Sequence, residues 1–470
     1  MKIGLECHIQ LSTNTKLFCG CPNRFSADAN TQVCDYCIGL PGTKPRLNKK
    51  AVDYALKIAI ALNCRVSGES FFSRKTYFYP DMGKNYQITQ YEIPVAQNGF
   101  LKIGNKKIRI ERINIEEDPA RIVHTSKYDS EYKSASITSA DYTLLDYNRS
   151  GVPLCEIVTA PEFSTSREAR LFLQELSSIL RYLDVFDPDI EGSMRVDANI
   201  SMGSERVEVK NISGFKDVEK ALNYEIIRQK GIVSRGKYVV RETRGWDADA
   251  LITRSLRTKE GEEDYGYIFE PDLPRITVTK NKIAEIRSLI PELAEEKIER
   301  YVKKMKIGLD LAISIVSDPD VAAMFEDVAK KSDIQIAAKW FAGEIKKTLN
   351  YRAMRLKETN IKAEHIVKLL KLVKEKVVTE ATAELILREM IMRPEDPELL
   401  LVQDNATRIY DEDVLEPTVN EVLNENAQAI LDYKAGKKEA INFLVGQVMK
   451  KTRGRGDSEA IRRILMKLLK

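Results

Sequence analysis

Two closely spaced pairs of cysteines stand near the start of the 470-residue chain. Cys19 and Cys21 are followed, after twelve residues, by Cys34 and Cys37. Four thiolates arranged as two pairs are the ligands that a tetrahedral structural Zn²⁺ site needs. Because protein would fill all four positions, we expect zinc to staple this loop rather than to act on a substrate. Four unliganded thiols in one loop are the alternative.

Polar side chains occupy alternate positions of several predicted strands. In residues 3–11 the odd positions are apolar and the even ones mostly polar, so Glu6 and His8 should share one face. Residues 194–200 and 206–210 alternate in the same way around a short turn, which predicts a hairpin. Its polar face would carry Arg195, Asp197, Asn199, Arg206, Glu208 and Lys210.

Further carboxylates could join this polar face. A predicted strand over residues 113–119 ends in Glu116, Glu117 and Asp118, and Glu156 lies near a later turn. Carboxylates gathered on one sheet face repel each other unless a cation neutralises them, and hard oxygens with an imidazole suit Mg²⁺ or Mn²⁺. From the pattern alone, however, a strand face exposed to water is the simpler interpretation.

Cations alternate with aromatic residues between positions 71 and 81, where Lys75, Tyr77 and Tyr79 stand. Such a stretch suits base stacking and phosphate contacts with RNA, and it suits a buried strand equally well. Pattern alone does not separate these two interpretations.

The last 37 residues are strongly basic, with 11 Lys or Arg against 3 Asp or Glu, a net charge of +8. A solvated helix end would explain part of this excess. Contact with a phosphate backbone is favoured for the basic loop within it. That loop carries Lys450, Lys451, Arg453 and Arg455.

The elements that must position these residues change in character along the chain. Residues 1–280 are rich in β-branched and aromatic residues with period-two alternation, which predicts an α+β domain on a large, mainly antiparallel sheet. Residues 281–399 have apolar residues three and four apart, which is typical of amphipathic helices. Prolines at 394 and 397 interrupt that pattern, so we predict a separate small helical tail over residues 400–470.

Composition and missing motifs exclude several classes of protein. With 43% hydrophobic and 31% charged residues, the chain is typical of globular proteins, and its net charge of +4 is uninformative. It contains no run of roughly 18 to 20 apolar residues and no apolar signal-peptide segment, so we expect a cytoplasmic protein without a membrane partner. The sequence also contains neither a P-loop motif nor a G-x-S-x-G nucleophile elbow.

Taken together, the motifs resemble one family, the GatB subunits of the tRNA-dependent Asp/Glu amidotransferase complex GatCAB. The matching strings include GLECHIQL at 4–11, RKTYFYPD at 74–81, EGSMRVD at 191–197, EPDLP at 270–274 and FLVGQVMK at 443–450. They run from the first residues to near the last, so the resemblance covers essentially the whole chain. The related archaeal GatE subunit carries a large inserted domain, for which the sequence after Pro274 leaves no room.

This resemblance implies a cradle-shaped catalytic domain with the zinc-stapled loop, a helical domain and a tail similar to the YqeY protein. It implies that ATP phosphorylates the side-chain carboxylate of Asp-tRNA(Asn), Glu-tRNA(Gln) or both, and that ammonia from a partner amidase subunit then forms the amide. A small C subunit would complete the complex. The implied cofactors are ATP, Mg²⁺ and structural Zn²⁺, and misacylated tRNA is the implied macromolecular partner.

The resemblance also assigns candidate roles to residues. Arg195 and Lys210 become candidate ATP-phosphate contacts, and Asn114 departs from the His that is frequent in the family. The candidate metal-binding or ammonia-handling residues are Glu6, His8, Glu116, Glu117, Glu156 and Asp197, of which Glu6, His8, Glu117 and Asp197 are the Mg²⁺ candidates. Candidate tRNA contacts are Lys75, Tyr77 and Tyr79 near the acceptor end, with Lys450, Lys451, Arg453 and Arg455 in the tail.

Two rival functions draw on the same sequence features. A zinc-containing RNA-binding or assembly factor without chemistry of its own would share the basic and cysteine-rich segments. A zinc hydrolase would need an open metal position, which four thiolates do not leave.

Overall fold

A computed structural model of the chain describes residues 1–24, 28–125, 142–190, 192–203, 205–258, 266–403, 409, 412–434, 437, 439–452 and 454–469. The chain divides into two compact units, Met1–Leu293 and Ala294–Lys470. The first is built on β-sheet, and the described part of the second is helical. Division of the helical region near residue 400 stays a prediction.

The first unit contains a large mixed sheet, flanking helices and smaller sheets. Its strands are β1 (Lys2–Gln10), β2 (Arg65–Val66), β3 (Glu69–Ser70), β4 (Ser73–Thr76), β5 (Tyr86–Thr89), β6 (Ala96–Ile103), β7 (Lys106–Glu117), β8 (Arg121–Thr125), β9 (Tyr142–Asp146), β10 (Pro153–Thr159), β11 (Met194–Ser201), β12 (Val207–Ser213), β13 (Glu242–Asp247), β14 (Ile252–Thr258), β15 (Gly266–Phe269) and β16 (Ile276–Thr277). Its helices are α1 (Lys49–Ala61), α2 (Ser166–Tyr182), α3 (Phe215–Ser234) and α4 (Lys280–Ser288).

Nine strands form the main sheet in the order β14-β13-β12-β11-β1-β10-β7-β6-β2. Neighbouring strands run antiparallel except β12 and β13, which are parallel. The predicted α+β class with a mainly antiparallel sheet is therefore confirmed. A separate three-stranded sheet has the order β15-β4-β5, and β5 packs near β7 of the main sheet.

Strand β1 lies at the centre of the main sheet and shows why its two faces differ. The side chains of Ile3, Leu5, Cys7 and Ile9 are buried in a core that also contains residues of α1, α2 and α3. In an extended strand the alternate side chains must point the opposite way. Helices therefore cover the apolar face of the sheet, and the even-numbered residues of β1 lie on the other face.

Local sequence sets the ends of the helices that cover this core. Helix α1 begins after Asn48, whose side chain accepts hydrogen bonds from the backbone of Lys50 and Ala51. Helix α2 begins after Thr165, which caps the backbone N–H of Glu168. Such caps satisfy donors that lack partners within the helix, and each stabilises the helix by about 1 kcal/mol.

The second unit consists of short helices. They are α5 (Ala294–Lys303), α6 (Leu309–Val316), α7 (Pro319–Ala329), α8 (Ile334–Trp340), α9 (Lys346–Tyr351), α10 (Ala363–Lys374), α11 (Glu380–Met392), α12 (Pro397–Gln403), α13 (Glu412–Glu425), α14 (Ala427–Lys434), α15 (Ala440–Lys451) and α16 (Ser458–Leu468), with a π-helical turn over Phe341–Ile345 and a 3₁₀ turn over Leu356–Glu358. Helices α13, α15 and α16 share a hydrophobic core. Within the described residues we find no helix with the length and apolar character of a membrane span.

Candidate functional site

The four clustered cysteines converge in the structure. The Sγ atom of Cys37 lies 3.6 Å from that of Cys19 and 3.8 Å from those of Cys21 and Cys34, and all four sulfurs lie within 4.8 Å of one another. Sulfur ligands at about 2.3 Å from zinc in a tetrahedron are about 3.8 Å apart. The group can therefore hold a metal ion, and its donor set fits zinc.

A buried lysine supports this cluster. Lys16 is fully buried, and its ammonium group donates to Cys37 Sγ at 3.3 Å and to the carbonyl oxygen of Tyr147 at 3.2 Å. The hydrogen bond with Cys19 and the charge of Lys16 outweigh burial and lower the pKa of Cys37 to about 4. Cys37 thus favours the thiolate, which is the form that binds metal, whereas the hydrogen bond with Cys37 and then burial raise the pKa of Cys19, and burial raises the pKa of Cys21.

The cysteine loop packs closely against the segment before β5. Gly39 has φ = 73°, and a Cβ atom there would lie 2.5 Å from the carbonyl carbon of Gly83. In turn, a Cβ on Gly83 would lie 2.6 Å from the carbonyl oxygen of Ile38. Two glycines therefore permit a backbone contact that holds the loop against the sheet unit.

Strand pairing brings the predicted polar residues onto one face of the main sheet. His8 of β1 is paired with Arg195 of β11 on one side and with Glu156 of β10 on the other, and Glu156 is paired with Asn114 of β7. Glu6 is paired with Asp197 in the neighbouring row. Directly opposed residues point to the same side of a sheet, so these side chains share a face.

His8 and Glu116 form the central contact of this face, with His8 Nδ1 lying 3.0 Å from Glu116 Oε1. Burial disfavours a charged imidazole, but the hydrogen bond and negative charge of Glu116, together with Glu156 and Asp197, outweigh it and raise the His8 pKa to about 9. Burial likewise opposes ionisation of Glu116, yet His8 lowers the pKa of that carboxyl. The two groups therefore form an ion pair at neutral pH.

Two asparagines donate hydrogen bonds to the other carboxylates, and their own side-chain oxygens have no donor. Asn199 Nδ2 donates to Glu6 Oε1 at 2.8 Å, and Asn114 Nδ2 donates to Glu156 Oε2 at 2.7 Å. Burial, and then the charge of Glu116, raise the pKa of Glu156. The Oδ1 atoms of both asparagines are buried and accept no hydrogen bond in the structure. Buried oxygens without donors are suited to contact a cation.

Two predicted phosphate contacts are held by acidic neighbours. Arg195 donates to Asp118 Oδ1 at 2.8 Å, and Arg149 donates to the other oxygen of Asp118 at 2.5 Å. Burial raises the pKa of Asp118 to about 6 despite the charge and hydrogen bond of Arg195. Lys210 Nζ lies 3.3 Å from Asp197 and 3.6 Å from Glu208.

Glu117 is not brought together with Glu6, His8 and Asp197. It lies on the opposite side of β7 from Glu116, is 1% exposed, and accepts hydrogen bonds from Lys84 Nζ at 2.6 Å and from the backbone N–H of Ile88 at 2.9 Å. The hydroxyl of Tyr36, in the cysteine loop, also donates to it at 3.4 Å. Its suggested role as a Mg²⁺ ligand stays a prediction.

The alternation of apolar and polar residues in the sequence already separates Glu116 and Glu117 onto opposite faces of their strand. Glu117 has the same parity as the apolar residues Ile113 and Ile115, whereas Glu116 has the parity of Asn114. Period-two alternation therefore favours Glu116 for the polar face and Glu117 for the buried one. The assignment of Glu117 rested on family resemblance and did not use this signal.

A cavity of about 730 Å³ lies over the polar face, within the first unit. Among the predicted residues, Glu6, Glu116, Glu156, Lys210 and Lys75 line it, and His8, Asp197 and Arg195 do not belong to its lining. Its walls also contain residues that we did not assign to a site from the sequence. These are Tyr91, Arg112, Asn114, Asn199, Arg206, Glu208, Arg241 and Tyr267.

The signals available for these additional residues differ. Alternation already places Asn199, Arg206 and Glu208 on the polar face of the predicted hairpin, although it gives them no individual role. Arg241 and Tyr267 come from segments far along the chain, and no spacing in the sequence relates them to Glu6. Only the tertiary structure brings them to this cavity.

The predicted RNA-contacting residues differ in exposure. Tyr79 is 54% exposed, whereas Tyr77 is partly buried and burial raises its pKa. In the tail, Lys450 is exposed, but Lys451 is paired with Glu421 at 2.8 Å and Glu425 at 2.6 Å. Arg455 Nε donates to the carbonyl oxygen of Thr452 at 3.2 Å. Arg453 lies outside the described residues.

The polar cavity differs from the cysteine cluster in the spacing of its potential ligands. In the part of the chain that the structure describes, the cysteines are the group of three or more His, Cys, Asp or Glu side chains whose ligand atoms approach closely enough to hold a metal. The carboxylates of the cavity are more widely spaced. Mg²⁺ typically uses one or two carboxylates and completes its shell with water and substrate phosphates, so a site for it would not require a tight cluster of protein ligands.

Two family models match most of the chain. The GatB/GatE catalytic domain matches residues 1–284, and the GatB domain known as GatB_Yqey matches residues 323–469. The first match contains the cysteine cluster and the cavity.

Full-length relatives agree with these matches. Each is named as the B subunit of an aspartyl/glutamyl-tRNA(Asn/Gln) amidotransferase. The protein of Carboxydothermus hydrogenoformans is 41% identical, over 98% of this chain and 97% of its own. The protein of Saccharolobus solfataricus is 43% identical, over 100% of this chain and 99% of its own. The protein of Methanoregula boonei is 44% identical, over 100% of this chain and 98% of its own.

Proposed function

The chain belongs to the GatB family of amidotransferase proteins, and we propose that it activates the amino acid of a misacylated tRNA. In the proposed reaction the terminal phosphoryl group of ATP is transferred to the side-chain carboxylate of Asp on tRNA(Asn) or Glu on tRNA(Gln). Ammonia then attacks the acyl phosphate, and inorganic phosphate leaves as the amide forms.

The observation that supports this proposal is the combination of charges in the cavity. Carboxylates and unpaired amide oxygens lie on its floor, and Lys75, Arg206, Lys210 and Arg241 line its walls. Phosphoryl transfer to a carboxylate brings two anions together, and their repulsion must be offset by cations placed where charge develops. A cavity lined by both carboxylates and basic side chains is suited to this requirement.

In the proposal, different side chains bind Mg²⁺, orient a carboxylate and contact phosphate. Glu6, Glu116 and the Oδ1 atoms of Asn114 and Asn199 would hold Mg²⁺, which when bound neutralises phosphate charge. His8 orients Glu116 through their hydrogen bond. Lys210 is held between Asp197 and Glu208, from where its ammonium can contact a phosphate oxygen.

Glu156 and Arg195 have supporting roles in the proposal. Burial and Glu116 raise the Glu156 pKa, and a carboxylate with a raised pKa is a better general base for the attacking ammonia. Arg195 is fixed by Asp118 beside the His8 row. We assign Glu156 to the amidation half of the reaction and Arg195, as from the family resemblance, to contact with an ATP phosphate.

The remaining parts of the complex are inferred from the family. Ammonia would come from a partner amidase subunit, and a small C subunit would complete a cytoplasmic heterotrimer. The four cysteines would hold a structural Zn²⁺. The tail would contact tRNA phosphates through Lys450, Arg453 and Arg455, with a smaller contribution from Lys451 because two glutamates already neutralise it.

The test is tRNA-dependent release of phosphate from ATP by the complex reconstituted with its amidase and small C subunits. Glu6→Gln keeps the size of the side chain but removes the charge of one proposed Mg²⁺ ligand, so the rate should fall by roughly 10²-fold or more. Glu295→Gln, a change at an exposed residue of the second unit, is the control and should keep the wild-type rate.

Two results would contradict the proposal. A wild-type rate in the Glu6→Gln complex would show that the cavity floor is only a solvated sheet face. If wild-type complex released no phosphate in response to Asp-tRNA(Asn) or Glu-tRNA(Gln), the zinc-containing RNA-binding or assembly factor would be the better interpretation.

A further inference from the structure

Two tyrosines form a flat aromatic surface on the wall of the cavity. The rings of Tyr91 and Tyr267 are stacked, with their centroids 3.8 Å apart and their planes at 15°. Both residues line the cavity, and Tyr91 is 47% exposed. Other aromatic pairs in the described residues are edge-to-face, such as Phe18 with Phe72. Because Tyr91 is partly exposed, its ring offers a flat surface on which a third flat group can stack.

The position of the pair relates it to the charged groups of the cavity. Tyr267 of β15 lies directly opposite Lys75 of β4, so the two side chains share a face of the three-stranded sheet. Lys75 also lines the cavity. Burial tends to raise the Glu116 pKa, but His8, and to a smaller extent the charge of Lys75, lower it. The aromatic surface, a cation and a carboxylate therefore follow one another along the wall.

This order matches the chemical order of a nucleotide. A nucleotide has a flat base at one end and phosphate at the other, and bases stack on aromatic side chains in many proteins that bind nucleotides in single strands. A base on the tyrosines would direct its phosphate towards Lys75 and the proposed Mg²⁺ ligands. An aromatic pair with a purely structural role would not need to stand beside a cation and a carboxylate.

We propose that Tyr91 and Tyr267 form a stacking platform that binds an adenine base, with Lys75 beside the attached phosphate. The inference rests on the proposed function, because the base would be that of ATP or that of the 3′-terminal adenosine of the tRNA. Both sources offer the same ring and an adjacent phosphate, and separate titrations distinguish them.

The experiment measures binding to the reconstituted complex without turnover. One titration uses ATP with Mg²⁺, and the other uses a tRNA acceptor minihelix ending in CCA. Stacking of one base contributes about 1–3 kcal/mol, so Tyr91→Leu should weaken binding of one of these ligands by about tenfold or more. Tyr91→Phe keeps the ring and should bind within about twofold of wild type. Tyr267→Leu should weaken binding of the same ligand as Tyr91→Leu.

A matched control and a kinetic readout exclude a general structural effect. Tyr238→Leu changes another tyrosine of the first unit, 86% exposed and outside the cavity lining, and should bind both ligands normally. At saturating concentration of the affected ligand, Tyr91→Leu should recover most of the wild-type kcat while its KM stays raised. A loss confined to ATP identifies the ATP base, and a loss confined to the minihelix identifies the terminal adenosine.

The platform would be refuted if Tyr91→Leu and Tyr267→Leu bound both ligands as tightly as wild type, or if Tyr91→Phe lost as much affinity as Tyr91→Leu. Refutation of the platform can be distinguished from refutation of the proposed function. If binding depended on Tyr91 but the complex cleaved no ATP, the platform would be supported and the phosphorylation reaction refuted. If the complex cleaved ATP normally but binding did not depend on Tyr91, the reaction would be supported and the platform refuted.

Discussion

The cysteine cluster and the polar cavity arrange their charged and polar side chains in two different ways. Four cysteines from 19 consecutive residues place their sulfurs within 4.8 Å of one another, and a metal ion bound there would have a complete shell of protein ligands. The cavity draws its carboxylates from different strands of the main sheet and spaces them more widely. A closed shell serves stability, and an open one leaves room for substrate oxygens. Substitutions in the two sites should therefore have different consequences.

The largest effect on stability should come from breaking the closed site. Cys34→Ser removes one of four thiolates, and structural zinc contributes on the order of 10 kcal/mol to the folding of its local unit. We expect loss of the single bound zinc, measured by elemental analysis, and a lower melting temperature or lower solubility before any specific effect on chemistry. Cys64→Ser, outside the cluster, is the control. A stable, fully active Cys34→Ser protein would contradict a structural role for zinc.

The two adjacent glutamates at the end of β7 sharpen the comparison, because one faces each region. Glu117→Gln leaves Lys84 buried without its carboxylate, and loss of one partner of a buried ion pair costs about 3–5 kcal/mol. We expect urea unfolding to show this loss of stability. Replacing Lys84 by Met in the same protein should restore part of it.

Glu116→Gln should show a different profile, with a large loss of tRNA-dependent ATP cleavage and a smaller loss of stability than Glu117→Gln, because an imidazole left without its carboxylate can release its proton whereas Lys84 does so much less readily. If instead Glu117→Gln kept wild-type stability and abolished ATP cleavage, Glu117 would be a functional ligand, and its ion pair with Lys84 would have to open during the reaction.

A smaller effect should appear in the pH dependence of the cavity. The folded-state pKa of His8 is raised from 6.5 to about 9, so the protonated imidazole stabilises the fold fully below about pH 6.5, and this contribution is lost as the pH rises through about 9. NMR titration of the metal-free protein should give a midpoint near 9 for His8. Glu116→Gln should lower that midpoint, because it removes the main favourable charge. A His8 midpoint near 6.5 in wild type would mean that the ion pair does not form.

Local patterns in the sequence were enough for much of the fold. Alternation in β1 and in the hairpin of β11 and β12 predicts which side chains lie on the polar face of the sheet, because the period of an extended strand is two residues. The prolines at 394 and 397 predicted an interruption of helix, and α11 ends at Met392 while α12 begins at Pro397. The assignment of the family came from motifs spread over the whole chain, and the comparisons confirm it.

The sequence by itself determined which four cysteines form a cluster that could hold a metal, since they are near neighbours along the chain, and four thiolates favour zinc. It also determined the polar parity of each strand. Only the tertiary structure decided which strands are adjacent, and therefore that Glu6, Asn114 and Tyr267 line one cavity. The physical reason is that side-chain parity is a local property of the backbone, whereas strand order results from the packing of the whole sheet on its helices, which no spacing between these residues encodes.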